Sequence, residues 1–320
     1  MQKRKRYGKQ GPSRIYDYQA KEETTLLPLL FAILEPKSRS DIKSMLAHHH
    51  VAVNGTPVTQ FDMPVTPADV VSINFTRPFA VLRDNQLRII YEDDWLIAVE
   101  KASGLLSVGR AGQDEKTAWR LLTDYMKQKD PRTTAYVCHR LDQYTSGILV
   151  FAKDGNVQRE LRYKWDYYVR ERYYYAVVEG TPEPPQSELR DYLLEDSHMN
   201  VHVVPEPQGT NYDRGRGGSD PKLAVTRYQV QQGNGHHSLL DVQLLTGRKN
   251  QIRVQLAHAG HPVAGDRKYG ATTNPCARLM LHNYRLTLQH PVTHELLRFD
   301  LPVPKQFLAT TKPTEGTSGL

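Results

Sequence analysis

Cysteine is scarce in this sequence, and long apolar runs are missing. Only Cys138 and Cys276 occur among 320 residues, too few for a disulfide framework or for a zinc site built on cysteine. No run approaches the roughly 18 apolar residues that cross a bilayer. The start MQKRKRYGKQ leads to Gly-Pro-Ser instead of an apolar stretch, which argues against a secretory signal. The sequence therefore predicts a cytoplasmic protein.

Signatures of common cofactors are missing as well. No glycine-rich loop is followed by Lys-Ser or Lys-Thr, and no nucleophile elbow is present. The grouped histidines lack carboxylate or cysteine partners at a ligand spacing, so we interpret them as surface residues. These histidines are His48, His49, His50, His236, His237, His258 and His261. We expect no metal ion and no organic cofactor.

Positive charge is concentrated at one end of the chain. Lysine and arginine number 42 against 35 acidic residues, and six of these cations precede the first acid, Asp17. The six are Lys3, Arg4, Lys5, Arg6, Lys9 and Arg14. A segment with so few apolar residues cannot offset its ordering entropy by burial. Residues 1–23 are therefore predicted to form a flexible basic tail.

Residues 24–76 have the pattern of a small α+β unit. Leucine and isoleucine recur at helical spacing from Leu26 to Leu34, and Pro36 ends that helix. Ser38 or Ser40 can cap a second helix, after which short alternating segments predict a small antiparallel sheet. A unit of about 50 residues suits a binding module better than an active site.

Residues 77–308 are predicted to form a larger α+β domain. Strands are expected at 148–152, 173–178, 223–230, 239–245 and 296–301, and helices near 117–128, 156–164 and 250–258. Proline and glycine predict an exposed loop over 208–220. The polar residues 309–320 are predicted to be a flexible C-terminal tail.

The stretch from Cys138 to Gly147 is the first candidate site. His139, Arg140 and Asp142 place three ionisable side chains directly before an apolar strand. Polar groups so close to a core can serve chemistry, but Asp142 could equally accept hydrogen bonds within an ordinary Asx-type turn. The residue types alone leave both interpretations open.

A second candidate site follows Leu244. The turn around Gly247 leads into a helix whose start carries Arg248, Lys249 and Arg253. Basic groups at a helix start oppose its dipole, so they suggest a nearby anion, either a phosphate or a protein carboxylate. The alternative is a solvated basic turn without a role.

An aromatic cluster between residues 165 and 175 is the third feature. It contains Trp165, Tyr167, Tyr168, Tyr173, Tyr174 and Tyr175, interleaved with Lys164, Arg170 and Arg172. Such a cluster could stack on nucleic acid and neutralise its phosphates. It could also be a helix and a strand with aromatic core residues.

Together these segments resemble the RluA-type family of pseudouridine synthases. His139-Arg140-Leu141-Asp142-x-x-Thr145-Ser146-Gly147 resembles the catalytic loop of the family, and Gly247-Arg248-x-x-Gln251-Ile252-Arg253-Val254 resembles its basic motif. Further motifs in the same order extend the resemblance over about residues 89–304. They are Lys101-x-Ser103-Gly104-Leu105, Arg172-x-Tyr174-x-Ala176, Gly265-Asp266-x-x-Tyr269-Gly270 and Leu281-His282.

The resemblance implies a fold and a partner. It implies an α+β catalytic domain with a mixed, largely antiparallel sheet flanked by helices and loops. Residues 24–76 resemble an S4 RNA-binding domain, most clearly at Ser38-Arg39-Ser40 and Val51-x-Val53-Asn54-Gly55. The implied partner is ribosomal or transfer RNA, without a membrane or a nucleotide cofactor, and we expect a monomer.

The resemblance also assigns roles to individual residues. Asp142 is implied as the nucleophile, Arg253 as its ion-pair partner, which favours the ionised carboxylate, and Tyr174 as a ring that stacks on uracil. Arg140 would fill the gap left by the flipped nucleotide, whose unstacking costs a few kcal/mol. The remaining expected substrate contacts are Ile252 under the base, Arg248, Lys249 and Thr145, of which Thr145 also holds the loop together with His139.

Two alternatives belong to other functional classes. A non-catalytic RNA-binding or ribosome-assembly protein could keep the same fold, although the catalytic residues implied by the resemblance are all present. A metal-dependent hydrolase could use Asp142 with nearby histidines, and a chelator would separate that activity from a synthase.

Overall fold

The computed structural model describes residues 15–109, 114–207 and 220–313. The predictions for the six tail cations, for loop residues 208–219 and for residues 314–320 lie outside these ranges. The chain divides into two compact units, residues 1–83 with 124–133, and residues 84–123 with 134–320. Within the described ranges, no helix is both long and apolar enough to span a membrane.

The first unit is a four-stranded antiparallel sheet with two helices. The sheet order is β1-β6-β3-β4, and β2 pairs separately with β5. Leu26, Leu30, Ile42 and Leu46 of the helices share a buried core with the strands. Its elements are β1 Ile15–Gln19, β2 Thr24–Thr25, α1 Leu26–Ile33, α2 Arg39–Ala47, β3 Val51–Val53, β4 Thr56–Pro57, β5 Pro64–Val65 and β6 Val70–Asn74.

The start of this unit corrects the predicted extent of the basic tail. Residues 15–19, assigned above to a flexible segment, form β1, which pairs antiparallel with β6 from Ile15 opposite Asn74 to Gln19 opposite Val70. Four of the five β1 residues are exposed, so the strand carries no alternating apolar signal. Its pairing depends on backbone hydrogen bonds to an existing strand, which periodicity does not reveal.

The second unit contains an eleven-stranded mixed sheet. Its main path is β13-β12-β14-β15-β11-β16-β10-β8-β7, with β17 beside β16 and β9 beside β10. The strands are β7 Leu87–Glu92, β8 Leu96–Lys101, β9 Tyr136–Val137, β10 Ser146–Ala152, β11 Val169–Glu179, β12 Gln186–Glu195, β13 Val201–Val204, β14 Lys222–Gly233, β15 His237–Leu244, β16 Leu281–Gln289 and β17 Leu296–Asp300. Its helices are α4 Gly155–Tyr163, α5 Trp165–Tyr168, α6 Gln251–His258 and α7 Lys305–Thr310, and helix α3, Ala118–Lys129, is divided between the two units.

One parallel pairing interrupts this antiparallel sheet. Strands β10 and β16 run parallel, with Gly147 opposite Asn283. A Cβ atom on Gly147 would lie 2.1 Å from the Asn283 carbonyl oxygen, and the φ angle of Gly147 is +119°. Tyr174 of β11 is opposite Asn283 on the other side of β16. The register therefore brings Tyr174 close to the loop that precedes β10, and the predicted mixed, largely antiparallel sheet is confirmed.

The C-terminal end of the second unit is longer than predicted. Residues 309–320 were expected to be flexible, but helix α7 continues to Thr310 and Thr311 is fully buried. Gln232 donates a hydrogen bond to the Thr311 hydroxyl at 2.8 Å, and Asn234 donates one to the Thr310 carbonyl at 2.9 Å. These polar contacts fix a segment whose composition lacks the apolar pattern of a core helix.

Candidate active site

The loop before β10 is held by its backbone from two sides. The Ser107 hydroxyl donates to the Leu141 carbonyl at 2.7 Å and accepts from the Leu141 N–H at 3.1 Å. The Gln143 carbonyl accepts from the Lys101 ammonium at 3.0 Å and from the Gly104 N–H at 2.9 Å. The position of Asp142, between Leu141 and Gln143, is therefore fixed without use of its carboxylate.

The Asp142 carboxylate does not form the Asx-type turn considered above. The N–H of Thr145 donates to the backbone carbonyl of Asp142 at 3.1 Å. The side-chain Oδ2 of Asp142 accepts instead from Nη1 of Arg253 at 3.2 Å. With 36% of its side chain exposed, Asp142 keeps the second oxygen available to a ligand.

Arg253 lies between two carboxylates. Its Nε and Nη2 donate to the two oxygens of Asp266 at 2.6 and 2.8 Å, while Nη1 also donates to Asn250 at 3.1 Å. Burial alone would lower the pKa of Arg253, but hydrogen bonds and charge from Asp266, and then from Asp142, raise it overall. The bidentate pair fixes the plane of the guanidinium so that Nη1 faces Asp142.

Two buried amides fix helix α6, which carries Arg253. Gln251 donates to the Val225 carbonyl at 3.1 Å, and Gln255 donates to Asp191 at 2.7 Å while it accepts from Thr226 at 2.6 Å. These bonds connect the helix to strands β12 and β14. Helix α6 is therefore anchored to the sheet by buried hydrogen bonds.

Asp142 and Arg253 face a cavity of about 760 Å³, within the range of about 300–1,000 Å³ that is common for ligand sites. All of the predicted site residues line this cavity. They are Asp142, Tyr174, Arg253, Arg140, Ile252, Arg248, Lys249 and Thr145. The two candidate stretches of the sequence therefore meet in one place.

Tyr174 and Ile252 form apolar walls of the cavity. Tyr174 is 8% exposed and Ile252 is 4% exposed. Burial raises the pKa of Tyr174, an effect that Asn283 and Arg172 oppose and that Asp142 increases. The phenol is therefore protonated at neutral pH, and its ring presents a flat surface beside the carboxylate.

The basic residues at the rim differ in their partners. Arg140 is exposed and forms no hydrogen bond or ion pair with the part of the chain that the structure describes. Arg248 donates from Nε to the Leu223 carbonyl at 3.0 Å. Lys249 is ion-paired with Glu195 and donates to the Met199 carbonyl at 3.0 Å. The anion expected near this turn is thus, for Lys249, a protein carboxylate.

The imidazole of His139 is neutral and helps to hold the catalytic loop in place. Its Nε2 accepts the N–H of Val150 at 3.0 Å, and its ring packs against Trp165 with centroids 4.9 Å apart. Burial, assisted by Arg172, lowers the pKa of His139 to about 3. This geometry agrees with a role in holding the loop.

Sequence reasoning assigned no role to Lys101 and Asp266. The Lys101 ammonium is fully buried and donates to the carbonyls of Ala102, Leu105 and Gln143 at 2.8 to 3.1 Å. Burial lowers the pKa of Lys101 to about 7, against the opposing charge of Asp142. Lys101 and Asp266 each belong to a motif that resembles the family, and membership of that motif was the only sequence feature that pointed to them.

Side chains that bind metal ions do not cluster in the part of the chain that the structure describes. Over residues 15–109, 114–207 and 220–313, no cluster of three or more His, Cys, Asp or Glu side chains could hold a metal ion.

The site combines a partly exposed carboxylate, a buried arginine and apolar walls around one ligand-sized cavity, an arrangement typical of an enzyme active site. The comparison with known proteins identifies the family. Residues 95–258 match the family described as RNA pseudouridylate synthase. The chain belongs to this family and is an RNA pseudouridine synthase, an isomerase whose substrate is RNA. The family inferred from the sequence motifs is thereby confirmed.

Named relatives and a solved structure agree with this assignment. The ribosomal large subunit pseudouridine synthase D of Neisseria meningitidis is 30% identical over 86% of this chain and 75% of that protein. The tRNA pseudouridine synthase C of Yersinia pestis is 33% identical over 68% of this chain and 88% of its own length. The structure of human RNA pseudouridylate synthase domain containing 4 has the same fold, with a TM-score of 0.55, 22% identity, and coverage of 70% and 92%.

Proposed function

We propose that the enzyme isomerises specific uridines in structured RNA, ribosomal or transfer RNA, with Asp142 as the nucleophile. The observation that supports this proposal is the chain of ion pairs from Asp266 through Arg253 to Asp142 beside a ligand-sized cavity. Relatives named for ribosomal and for transfer RNA support both substrate classes.

The reaction conserves all atoms and electrons. The bond between uracil N1 and ribose C1′ breaks, a bond between C5 and C1′ forms, C5 loses a proton and N1 gains one. An ionised carboxylate of Asp142 starts this exchange by acting on the bound nucleoside. Neither an oxidant nor a reductant is needed.

Arg253 positions and stabilises the ionised form of Asp142. A charge-assisted hydrogen bond from Nη1 favours the carboxylate over the carboxylic acid. Because Asp266 holds two other nitrogens of the same guanidinium, Arg253 keeps its orientation when the substrate enters. Its charge therefore acts on Asp142 throughout the reaction.

Tyr174 and Ile252 bind the base between them. The ring of Tyr174 stacks on the uracil, and Ile252 supplies an apolar contact on the other wall. Since the pKa of Tyr174 is raised, the ring carries a hydroxyl at neutral pH, and it can relay the C5 proton only by accepting it while it passes its own proton to a second acceptor such as water.

The rim residues contact the RNA around the target nucleotide. Arg140, which forms no ion pair within the described chain, fills the space left by the flipped base. Arg248 and Lys249 also line the cavity: Arg248 supplies a charge for phosphates, Lys249 binds one by exchanging Glu195 for it, and Thr145 supports the loop. Residues 24–76 add affinity as an S4-like RNA-binding domain, and the enzyme acts as a cytoplasmic monomer.

Mapping of pseudouridine in RNA tests the substrate assignment. RNA from cells with and without this gene is sequenced for pseudouridine, and RNA from the deficient cells is then incubated with the purified enzyme. We expect at least one site in ribosomal or transfer RNA to be lost with the gene and restored by the enzyme. If RNA is bound but no site changes, the non-catalytic alternative is favoured.

A further inference from the structure

The outer surface of helices α4 and α5 carries aromatic rings that the reaction does not use. Helix α4 buries Val157 and Leu161 in the core, and the chain then turns outward. The side chain of Tyr163 is 85% exposed, the highest value among the large apolar and aromatic residues that the structure describes, and Tyr167 is 57% exposed. The aromatic cluster seen in the sequence is therefore divided, since Tyr168 and Tyr174 are buried.

This surface also carries an excess of positive charge. Lys164 is paired with Glu160 at 2.9 Å. Asp166 is then the remaining exposed acidic residue between residues 160 and 170, against the exposed cations Arg162 and Arg170. Arg170 lies over the ring of Tyr167, with 5.4 Å between the guanidinium carbon and the ring centroid. Arg162 is exposed and forms no ion pair within the described chain. We call Arg162, Tyr163, Tyr167 and Arg170 the α4–α5 face.

One residue of the α4–α5 face, Arg162, lines the catalytic cavity. Arg162 and Trp165 line that cavity together with Asp142. Trp165 contacts His139 of the catalytic loop through its ring. Tyr163 follows Arg162 at the end of helix α4 and points about 100° further round the helix axis. A strand of RNA that leaves the cavity past Arg162 therefore reaches the exposed ring by passing over the end of this helix.

We propose that the α4–α5 face binds the single-stranded nucleotides that flank the target uridine. Tyr163 stacks on an unpaired base, Tyr167 supports a second contact, and Arg162 and Arg170 bind phosphates. Exposed aromatic rings with basic neighbours bind single strands in this way because every base offers a flat face. This inference rests on the proposed function, since it requires the uridine to occupy the cavity beside Arg162.

The proposal also names the substrate class. A continuous duplex keeps its bases inside the stack, where Tyr163 cannot reach them. Unpaired nucleotides next to the target present their faces to the ring. The enzyme should therefore prefer a uridine in a loop or bulge over the same uridine within paired flanks.

The test compares Tyr163→Ala with Tyr163→Phe, which keeps the ring and loses only the hydroxyl. The probe is a fluorescein-labelled stem-loop RNA that carries a uridine modified by the wild-type enzyme. Affinity is measured by fluorescence anisotropy in the Asp142→Asn background, and turnover is measured in otherwise wild-type protein. Leu296→Ala, on a residue that is 65% exposed on β17, is the surface control.

We expect Tyr163→Ala to weaken binding by about 5-fold or more, the lower end of the range for base stacking, and to raise KM while kcat stays within about twofold. Tyr163→Phe and Leu296→Ala should bind as the parent does. Arg170→Gln should reduce the slope of log affinity against log salt by about 0.7. Pairing the flanking nucleotides with a complementary strand should remove the difference between Tyr163 and alanine.

Unchanged affinity in a folded Tyr163→Ala variant would overturn the proposal, as would an equal loss in Tyr163→Phe. Either result would leave the catalytic assignment intact. Failure of the proposed function would appear differently, as turnover by Asp142→Asn with the Tyr163 effect unchanged.

Discussion

Replacement of Asp266 by asparagine distinguishes the contributions of the two carboxylates that are ion-paired with Arg253. Asp266 is 2% exposed and forms two hydrogen bonds to the guanidinium, whereas Asp142 forms one and is 36% exposed. Asp266→Asn keeps the shape of the side chain and removes its charge. The arginine then remains mostly buried, with Asp142 as its remaining charged partner.

The expected cost follows from that burial. Breaking a buried ion pair costs about 3–5 kcal/mol of unfolding free energy, and the residual contact with Asp142 favours the lower end of that range. Asp142→Asn should cost at most about 1 kcal/mol, because Asp142 is one-third exposed and contributes one bond. Loss of the Asp266 charge should therefore lower the unfolding free energy more than loss of the Asp142 charge, although both carboxylates pair with the same arginine.

Catalysis should respond as well. In Asp266→Asn the amide oxygen can still accept one hydrogen bond, but the charged bidentate pair is lost, so Nη1 is held towards Asp142 less firmly. We expect kcat to fall at least tenfold, about 1.4 kcal/mol in the barrier, with a smaller change in KM. Urea denaturation gives the stability, and single-site modification assays give the rates. Unchanged kcat together with a stability loss below about 1 kcal/mol would refute the positioning role of Asp266.

Two further predictions concern the frame around the site. Gly147→Ala should lower the unfolding free energy by about 2–5 kcal/mol, because the new Cβ would meet the Asn283 backbone and the residue has a positive φ. Gly104 also has a positive φ but lies next to open space, so Gly104→Ala should cost about 1–2 kcal/mol in the same thermal denaturation. Equal costs for the two variants would contradict the role of the close approach to Asn283. His139 has a pKa lowered to about 3 in the folded protein, so the unfolded chain binds more protons between about pH 3 and 6.5, and stability falls as pH falls through that window. The slope should be shallower in His139→Gln by up to about 1.4 kcal/mol per pH unit, and identical slopes would show that the ring is charged in the fold.

Motifs were sufficient to locate the site, because its main residues lie in two short stretches of characteristic sequence. Helices α3, α4 and α6 were also predicted to within one residue of their observed bounds. The contact between Asp142 and Arg253 was expected from resemblance alone, since 111 residues separate them. No periodicity encodes such a distant pair.

The missed elements have local physical reasons. Strand β16 was not predicted because it buries polar side chains, among them His282 and Asn283, in the middle of the sheet. Strand β12 alternates exposed and half-buried residues over most of its length and follows proline-rich sequence, which resembles a loop. Strand β1 forms because its backbone pairs with the edge of β6. In each case, partners distant in sequence outweigh local preference.

Turnover by purified Asp142→Asn tests the central claim most directly. RNA carrying tritium at uridine C5 releases it when the glycosidic bond moves to that carbon, so released tritium counts isomerisation events. Asp94→Asn, on an exposed aspartate outside the cavity, is the matched control. We predict no release above background from Asp142→Asn, with RNA affinity and circular dichroism unchanged, and wild-type release from Asp94→Asn. Measurable release by Asp142→Asn would contradict the assignment of Asp142 as the nucleophile.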